Sequence, residues 1–396
     1  MRSAAEPFIP TPAQADAAAA SAVELDRAEE LIHAALLSEL LQRSVQVTHA
    51  RIKPGHSVVV AHAGEDGAHG WTMLTSDQDK FGKARQRAAD FGQQLQVHQR
   101  DPARGYLYSG SIWSDPALAK ELHDARSSLD EAEGRPVQWQ ILRYNPRRRL
   151  VAVVDAGHSP KVVRVAAGGA DQLLATALRW RSLGLPVTNV SPLGRRHSAT
   201  IAPLWGVGDL TEYPYEPAAQ RAGEAVAQLH RAPRHESCGD RPHADPAEAA
   251  AALGRIAPWL AARADQLALR CSSQLRPTLS STAAEIHGDL SPDQVILAAA
   301  ASHKVRIIDL DRAGCGHPMR DIGSWVATCR HSGTPELIDA FLAGYATGAP
   351  LEPADLDAWE AYAHLSRATD FFRHRESDWP RQTVHALNLA EEALNR

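Results

Sequence analysis

Apolar residues recur at a helical interval between residues 14 and 43. Leu25, Ala28, Leu31, Ile32, Leu36 and Leu40 share one side, with acids on the other, which predicts a helix. The pattern then changes. Val45 and Val47, Ser57–Ala61 and Trp71–Thr75 read as strands, with turn residues between them at Pro54-Gly55 and Gly64–Gly70. Residues 115–133 return to a helical pattern, with Asp115 as the expected cap and Pro116 in the first turn.

A second β-rich stretch resembles the first. Arg51-Ile52-Lys53-Pro54 leads into Ser57–Val60, and Arg143-Tyr144-Asn145-Pro146 leads into Arg149–Ala152, so each copy has an Arg-x-x-Pro turn feeding an apolar strand. Another strand follows each copy, Trp71–Thr75 in one and Val162–Ala166 in the other. Two copies are too few for a solenoid. The pattern predicts two similar antiparallel sheets in succession, although chance likeness of two hairpins gives the same signal. A helix from Asp171 to Leu183 is stopped by Gly184-Leu185-Pro186. Residues 200–205 suggest a short strand. Helices dominate from Pro217 onward, at 217–231, 246–268, 336–346, 354–372 and 381–394. Only two strand-like runs interrupt them, Gln294–Leu297 and Val305–Leu310.

Composition narrows the function classes. A chain of 396 residues, 44% hydrophobic, has ample material for real cores. With 42 basic against 47 acidic residues the net charge is −5, so an overall basic footprint for nucleic acid is absent. No run approaches eighteen apolar residues and the N-terminus lacks a signal-type apolar stretch, which argues against a membrane partner. Cys238, Cys271, Cys315 and Cys329 are far apart and form no CxxC pair. That usage speaks against a disulfide framework or structural zinc and for a reducing, cytoplasmic setting.

The chemistry concentrates in Ile286-His287-Gly288-Asp289-Leu290-Ser291-Pro292-Asp293-Gln294, followed by Val305-Arg306-Ile307-Ile308-Asp309-Leu310-Asp311. Asp289 precedes one strand and Asp309 ends the next, so a hairpin brings both carboxylates together with the Gln294 amide oxygen between them. Such a cluster offers hard oxygen ligands for Mg²⁺ and leaves positions for phosphates. It also supplies a spare carboxylate to orient a hydroxyl and accept its proton. Those parts suit phosphoryl transfer. No Gly-x-x-x-x-Gly-Lys-[Ser/Thr] loop and no Gly-x-Ser-x-Gly elbow competes with it.

This stretch resembles the aminoglycoside phosphotransferase and choline kinase family. The likeness extends to Gly316-His317-Pro318-Met319-Arg320-Asp321-Ile322-Gly323 and to the helix ending in Leu229-His230, covering roughly residues 138–345. It implies an α+β, bilobal protein-kinase-like fold, here preceded by an N-terminal α/β cap. The expected units are a cap over 1–135, a β-rich lobe over 136–205 and a helical lobe over 206–396. It implies ATP and Mg²⁺ as cofactors, Asp289 as catalytic base, and Asp309 and Gln294 as metal ligands. His287 and Asp321 would brace the loop. Asp311 stays open between assisting the metal and a surface or capping role.

The departures are on the phosphate side. Gln294 stands where most members carry Asn, as in the maltokinase-like branch with its extra N-terminal domain, which points to a sugar-type acceptor. Of Lys161 and Arg164, Arg164 falls where the family's phosphate-binding Lys belongs, and the acid expected on the next helix is missing. Asn145–Arg149 replaces a glycine-rich loop and is either a phosphate contact or a solvated turn. Adenine would meet backbone groups near Ala202 and Leu204. The expected acceptor is a small-molecule hydroxyl, on a sugar or amino sugar first and an aminoglycoside second. In the region Asp370–Pro380, acids would hold a cation or hydroxyls and Trp379 would stack on a sugar, or the stretch is an ordinary helix end. A degenerate kinase that binds nucleotide or a partner without turnover remains the rival class.

Overall fold

The computed structural model describes residues 8–157, 159–234, 244–275, 283–351 and 353–396. The first stretch, expected as one helix, is three: α1 (Pro12–Ser21), α2 (Ala28–Ile32) and α3 (Ala34–Leu41). Glu24 and Arg27 take left-handed backbone, φ 56° and 72°, and break the run. The apolar spacing survives the breaks because Ala19, Leu31 and Leu37 enter one core.

Two five-stranded sheets follow with the same strand order. The first contains β1 (Val45–Lys53), β2 (Ser57–Gly64) and β3 (His69–Thr75), then α4 (Gln78–Asp90), β4 (Gln96–Asp101) and β5 (Gly105–Ser111), ordered β1-β2-β3-β5-β4. After α5 (Ala119–Glu133) the second contains β6 (Trp139–Asn145), β7 (Arg149–Ala156) and β8 (Ser159–Ala166). It is completed by α6 (Asp171–Ser182), β9 (Ser191–Leu193) and β10 (Ala199–Pro203), ordered β6-β7-β8-β10-β9. In both, the helix is inserted after the third strand, and the first strand bulges against the second, at Val47/His49 and at Ile141/Arg143. The repeat seen in sequence is thus a repeat of a whole β-β-β-α-β-β unit, not of a single hairpin.

Alternation assigns the faces. In the first sheet Val58, Val60, Leu74 and Leu107 pack into the core shared with α1–α3, while Val59, Ala61, Trp71, Met73 and Tyr108 lie in a second core with Phe81 and Ala84 of α4. In the second sheet Leu150, Ala152, Val154, Val163 and Val165 face α5, within the same core. The opposite face of the second sheet roofs a cleft, which Leu173 and Ala177 of α6 also line.

The remaining chain is mainly helical: β11 (Gly208–Asp209), α7 (Glu216–Arg231), α8 (Pro246–Ile256), α9 (Ala261–Leu275), β12 (Ala284–Ile286), β13 (Val295–Leu297), β14 (Val305–Ile307), β15 (Gly314–Gly316), α10 (Met319–Ser332), α11 (Pro335–Ala346), α12 (Pro353–Arg367), α13 (Asp370–Arg373) and α14 (Trp379–Asn395). The expected helix 246–268 is interrupted at Pro258, which lacks an amide hydrogen and opens a 3-10 turn. β13 and β14 pair antiparallel as the expected hairpin, β11 joins its edge, and β12 pairs with β15. The architecture is α+β, a β-rich lobe joined to a helical one. No helix among the described residues is long and apolar enough to cross a membrane. Cys271 and Cys329 are free and buried, but Cys315 is disulfide-bonded. The sequence argument against a disulfide framework did not foresee this bond, which weakens the cysteine argument for a reducing compartment. Cys238 lies outside the described residues.

Candidate active site

The roof of the cleft follows from strand alternation. Arg149 and Val151 on β7, Val162 and Arg164 on β8, and Thr200 and Ala202 on β10 all face it. Its floor includes Gln294, Ile296, Ile307 and Asp309 from the hairpin, and it encloses about 350 Å³. The walls toward Ala202, Leu204 and Trp205 are apolar, whereas the opposite end is charged. There Arg149 Nη1 donates to Asp309 Oδ1 at 2.6 Å and to Asp311 Oδ2 at 2.8 Å, and Arg164 also pairs with Asp311. Burial pushes the Asp309 carboxyl up, but the Arg149 hydrogen bond and charge, with His287 and Arg164, outweigh it and hold the pKa below the ordinary value. Asp309 itself takes left-handed backbone, φ 59°, at the start of a 3-10 turn. An L-residue held there costs on the order of 1 kcal/mol, strain of the kind that gathers at functional sites.

The loop from His287 to Gln294 is built around Asp321 of α10. Its two carboxylate oxygens accept the backbone amides of His287 and Gly288, each at 2.7 Å, and Oδ2 also bonds His230 Nε2 at 3.1 Å. His230 in turn meets the Tyr345 hydroxyl at 2.9 Å, and the imidazole of His287 bonds the Ile308 carbonyl at 2.8 Å. Gly288 has φ +83°, and a Cβ there would collide with the Arg312 carbonyl. Asp321 is fully buried. Burial raises its pKa, but the His230 hydrogen bond, the charges of His230 and His287 and the His287 amide pull it down to a net lowered value. Asp321→Ala is expected to cost about 3 kcal/mol, since it strands buried amides and an imidazole. Chemical denaturation checks this. Because the folded pKa is depressed, the carboxylate's contribution is present above the ordinary aspartate pKa and is lost as pH falls through the folded value.

Asp289 lies beyond this brace and opens onto a second cavity of about 330 Å³, between the loop, α8, α10 and α12–α13. Its Oδ1 takes Arg367 Nη2 at 3.1 Å and Arg312 Nη1 at 3.3 Å. The loop and the segment after β14 therefore present one carboxylate each to different cavities, Asp289 to this one and Asp309 to the cleft.

A family model described as the phosphotransferase enzyme family (APH) matches residues 147–365, more than half of the chain, including Asp289, Gln294, Asp309 and Asp321. The protein belongs to that family. Its fold is shared by a choline/ethanolamine kinase family protein from Mesorhizobium loti, 16% identical, TM-score 0.50, over 70% of this chain and 95% of that one. A choline kinase from Streptococcus pneumoniae, 13% identical, also has a TM-score of 0.50, over 65% and 94% of the two chains. No curated protein matches the sequence.

In this phosphotransferase the structure gathers most of the residues singled out from sequence. Arg164, Ala202, Leu204, Gln294 and Asp309 line the cleft, and Asp289 lines the adjoining cavity. Lys161 is the exception. Three positions from Arg164 on a strand of period two, it points to the other side of the sheet, and its ammonium lies beside the Gly157 turn. The backbone at the adenine end is largely committed too: Pro203 has no amide hydrogen, and the Leu204 amide donates to the Pro160 carbonyl at 3.0 Å. Trp379 is not a sugar platform. It is buried, donates to Asp16 at 3.0 Å and packs edge-on against Phe372.

Sequence reasoning missed two features. Asp311 is the counter-ion of both cleft arginines, which fills the role of the absent acid on α6. Asp171, the nearest acid on that helix, instead meets His197 at 3.6 Å on the surface. Asp115 caps the turn that enters α5, its Oδ1 accepting the Ala117 amide at 2.9 Å and its carbonyl the Ala119 amide at 2.7 Å, but it also does more. It is buried and accepts the Tyr144 hydroxyl and the Arg147 amide, both at 2.7 Å, fixing the arginine turn over the cleft. The only signal was an aspartate before a proline, which reads as the cap alone.

The donor set fits Mg²⁺. Asp309, kept ionised by its surroundings, and the carboxamide of Gln294 line one cleft, with the Asp311 carboxylate beside them on the same arginines. These are hard oxygen donors. Among the described residues no group of three or more His, Cys, Asp and Glu could hold a metal ion.

Proposed function

We propose that the protein transfers the γ-phosphoryl group of ATP to a hydroxyl of a small molecule. The observation that carries this is the split placement of the two acids, Asp309 on the charged end of an apolar cleft and Asp289 on the neighbouring polar cavity. Adenine would occupy the apolar end near Ala202 and Leu204. Arg149 and Arg164 would turn from Asp309 and Asp311 toward the phosphates, where a guanidinium fork matches phosphate oxygens. Mg²⁺ on Asp309 and Gln294, when bound, would neutralise charge on the phosphates. Asp289 would orient the acceptor hydroxyl and take its proton. In this reading residues 1–135 form the cap, 136–205 the nucleotide-side lobe and 206–396 the acceptor-side lobe, all in the cytoplasm where ATP is supplied.

For the acceptor we favour a sugar. An aminoglycoside is the second choice, since the cavity at Asp289 offers as many acids (Asp245, Glu248, Asp289 and Asp370) as arginines (Arg312, Arg320, Arg367 and Arg373). One observation favours the rival reading of a nucleotide binder without turnover: both cleft arginines already neutralise the acids that a metal would need. Measuring ADP release from Mg·ATP against a panel of sugars, amino sugars and aminoglycosides separates the two. Acceptor-dependent ADP release supports the enzyme. Tight Mg·ATP binding with no release on any acceptor supports the rival, and no nucleotide binding contradicts both.

A further inference from the structure

α1 carries one charged residue, Asp16, and buries it. Its carboxylate accepts Arg375 Nη1 at 3.0 Å and Nη2 at 2.7 Å, a two-pronged pair, and takes the Trp379 indole N–H at 3.0 Å. Arg375 also donates to the Ile32 carbonyl at 3.3 Å, and its own backbone is left-handed, φ 58°. Removing one member of a buried pair leaves the other charge stranded.

This junction stands behind one wall of the cavity at Asp289. Thr369, Asp370 and Arg373, the cap and two residues of α13, line that cavity. α13 is a single turn of four residues, too short to hold itself as a helix in water. Its place is therefore set by what it packs on. Phe372 meets Trp379 edge-on at 5.1 Å, His374 faces His49 of β1 at 5.8 Å, and Arg143 of β6 reaches His374 at 3.3 Å on the surface. Those are two ring contacts and one exposed hydrogen bond, whereas the tie from Arg375 to Asp16 is a buried charge pair. α1 also packs on α8, whose Glu248, Ala249 and Ala252 line the same cavity. One N-terminal helix thus backs two of its walls. Asp16 lies before residues 147–365, which the family model matches, and α13, Arg375 and Trp379 lie after them.

We propose that Asp16 is a positioning residue for the acceptor. Through Arg375 and Trp379 it fixes α13, and with it the wall of Asp370 and Arg373 against which the acceptor hydroxyl is aligned at Asp289. This rests on the phosphotransferase reading and gives a part in it to the N-terminal helices, none of whose residues lines the cleft proposed for the nucleotide.

The test compares the full chain with Asp16→Asn, Arg375→Gln and the double variant. Asn keeps the shape and still accepts the Trp379 N–H, but no longer balances the guanidinium. The double variant leaves no buried charge alone, so its fold is spared. With an acceptor found in the ADP-release panel, each single variant is expected to lower kcat/KM for the acceptor at least about tenfold, the order of loss from a displaced substrate wall. KM for ATP should stay within about twofold. The double variant should keep that defect and lose no more than the worse single one, because both residues act through the same turn. Hydrogen–deuterium exchange gives a readout apart from turnover: amides of 369–376 should exchange at least about tenfold faster in Asp16→Asn, with α10 and α11 at parental rates. Unchanged acceptor kinetics, equal losses for acceptor and ATP, or full recovery in the double variant overturns the proposal. So does unchanged exchange at 369–376, or faster exchange throughout the helical lobe. If the parent releases no ADP on any acceptor, the phosphotransferase reading fails separately, and the exchange comparison alone decides whether Asp16 holds α13.

Discussion

Replacing Asp289 by Ala is expected to lower kcat by ~10²-fold or more, the ordinary contribution of a positioned general base, while Mg·ATP binding stays within about twofold of the parent. The split follows from the geometry. Asp289 opens onto the cavity proposed for the acceptor and is absent from the lining of the cleft proposed for the nucleotide. Its carboxylate is held by Arg367 and Arg312, which fix its direction without burying it. Ala also releases those arginines, so Asp289→Asn serves as a companion: it keeps the side-chain shape and hydrogen bonds but removes the basic oxygen. Both variants should lose turnover together. Retained turnover in either, measured by steady-state ADP release, contradicts the role given to Asp289.

Asp309→Ala should act on the other cavity. We expect loss of the Mg²⁺-dependent part of nucleotide affinity, about tenfold to a hundredfold, with metal-free binding of the adenine moiety retained. The variant removes one of two carboxylates that hold Arg149, and Asp311 remains to pair with it, so gross unfolding is not expected. Asp309→Asn separates charge from shape: a carboxamide keeps an oxygen donor but no longer neutralises the cation. Calorimetric titration of nucleotide with and without Mg²⁺ gives the comparison. An unchanged metal dependence would place the ion elsewhere.

How far the sequence reached depends on the range of the interaction. The β13–β14 hairpin could be read from apolar runs and the residues between them, because register and turn chemistry are local. So could the bracing by His287 and Asp321, since the motif that carries it lies within two short segments. The duplicated sheet showed only as one Arg-x-x-Pro turn repeated. Its strand order depends on pairings between β3 and β5, and between β8 and β10, across an inserted helix. The face assignment of Arg164 over Lys161 was available from period two, and it excludes Lys161. What the sequence hid were partners chosen by packing: Asp311 for the cleft arginines, Asp115 for the turn at Arg147, and Asp16 for Arg375 and Trp379. Each joins residues from different elements, and no local spacing signals it. The arginines around Asp289 were invisible for the same reason, coming from α10, α12, α13 and the segment after β14.

The direct test is a crystal structure with Mg²⁺ and a non-hydrolysable ATP analogue. The account predicts adenine between Ala202 and Ile307, the metal on Asp309 and Gln294, and Arg149 turned from Asp309 to the phosphates, with the γ-phosphate directed toward Asp289. Nucleotide bound outside this cleft, or phosphates engaged while Arg149 still holds Asp309 and no metal reaches it, would contradict the account.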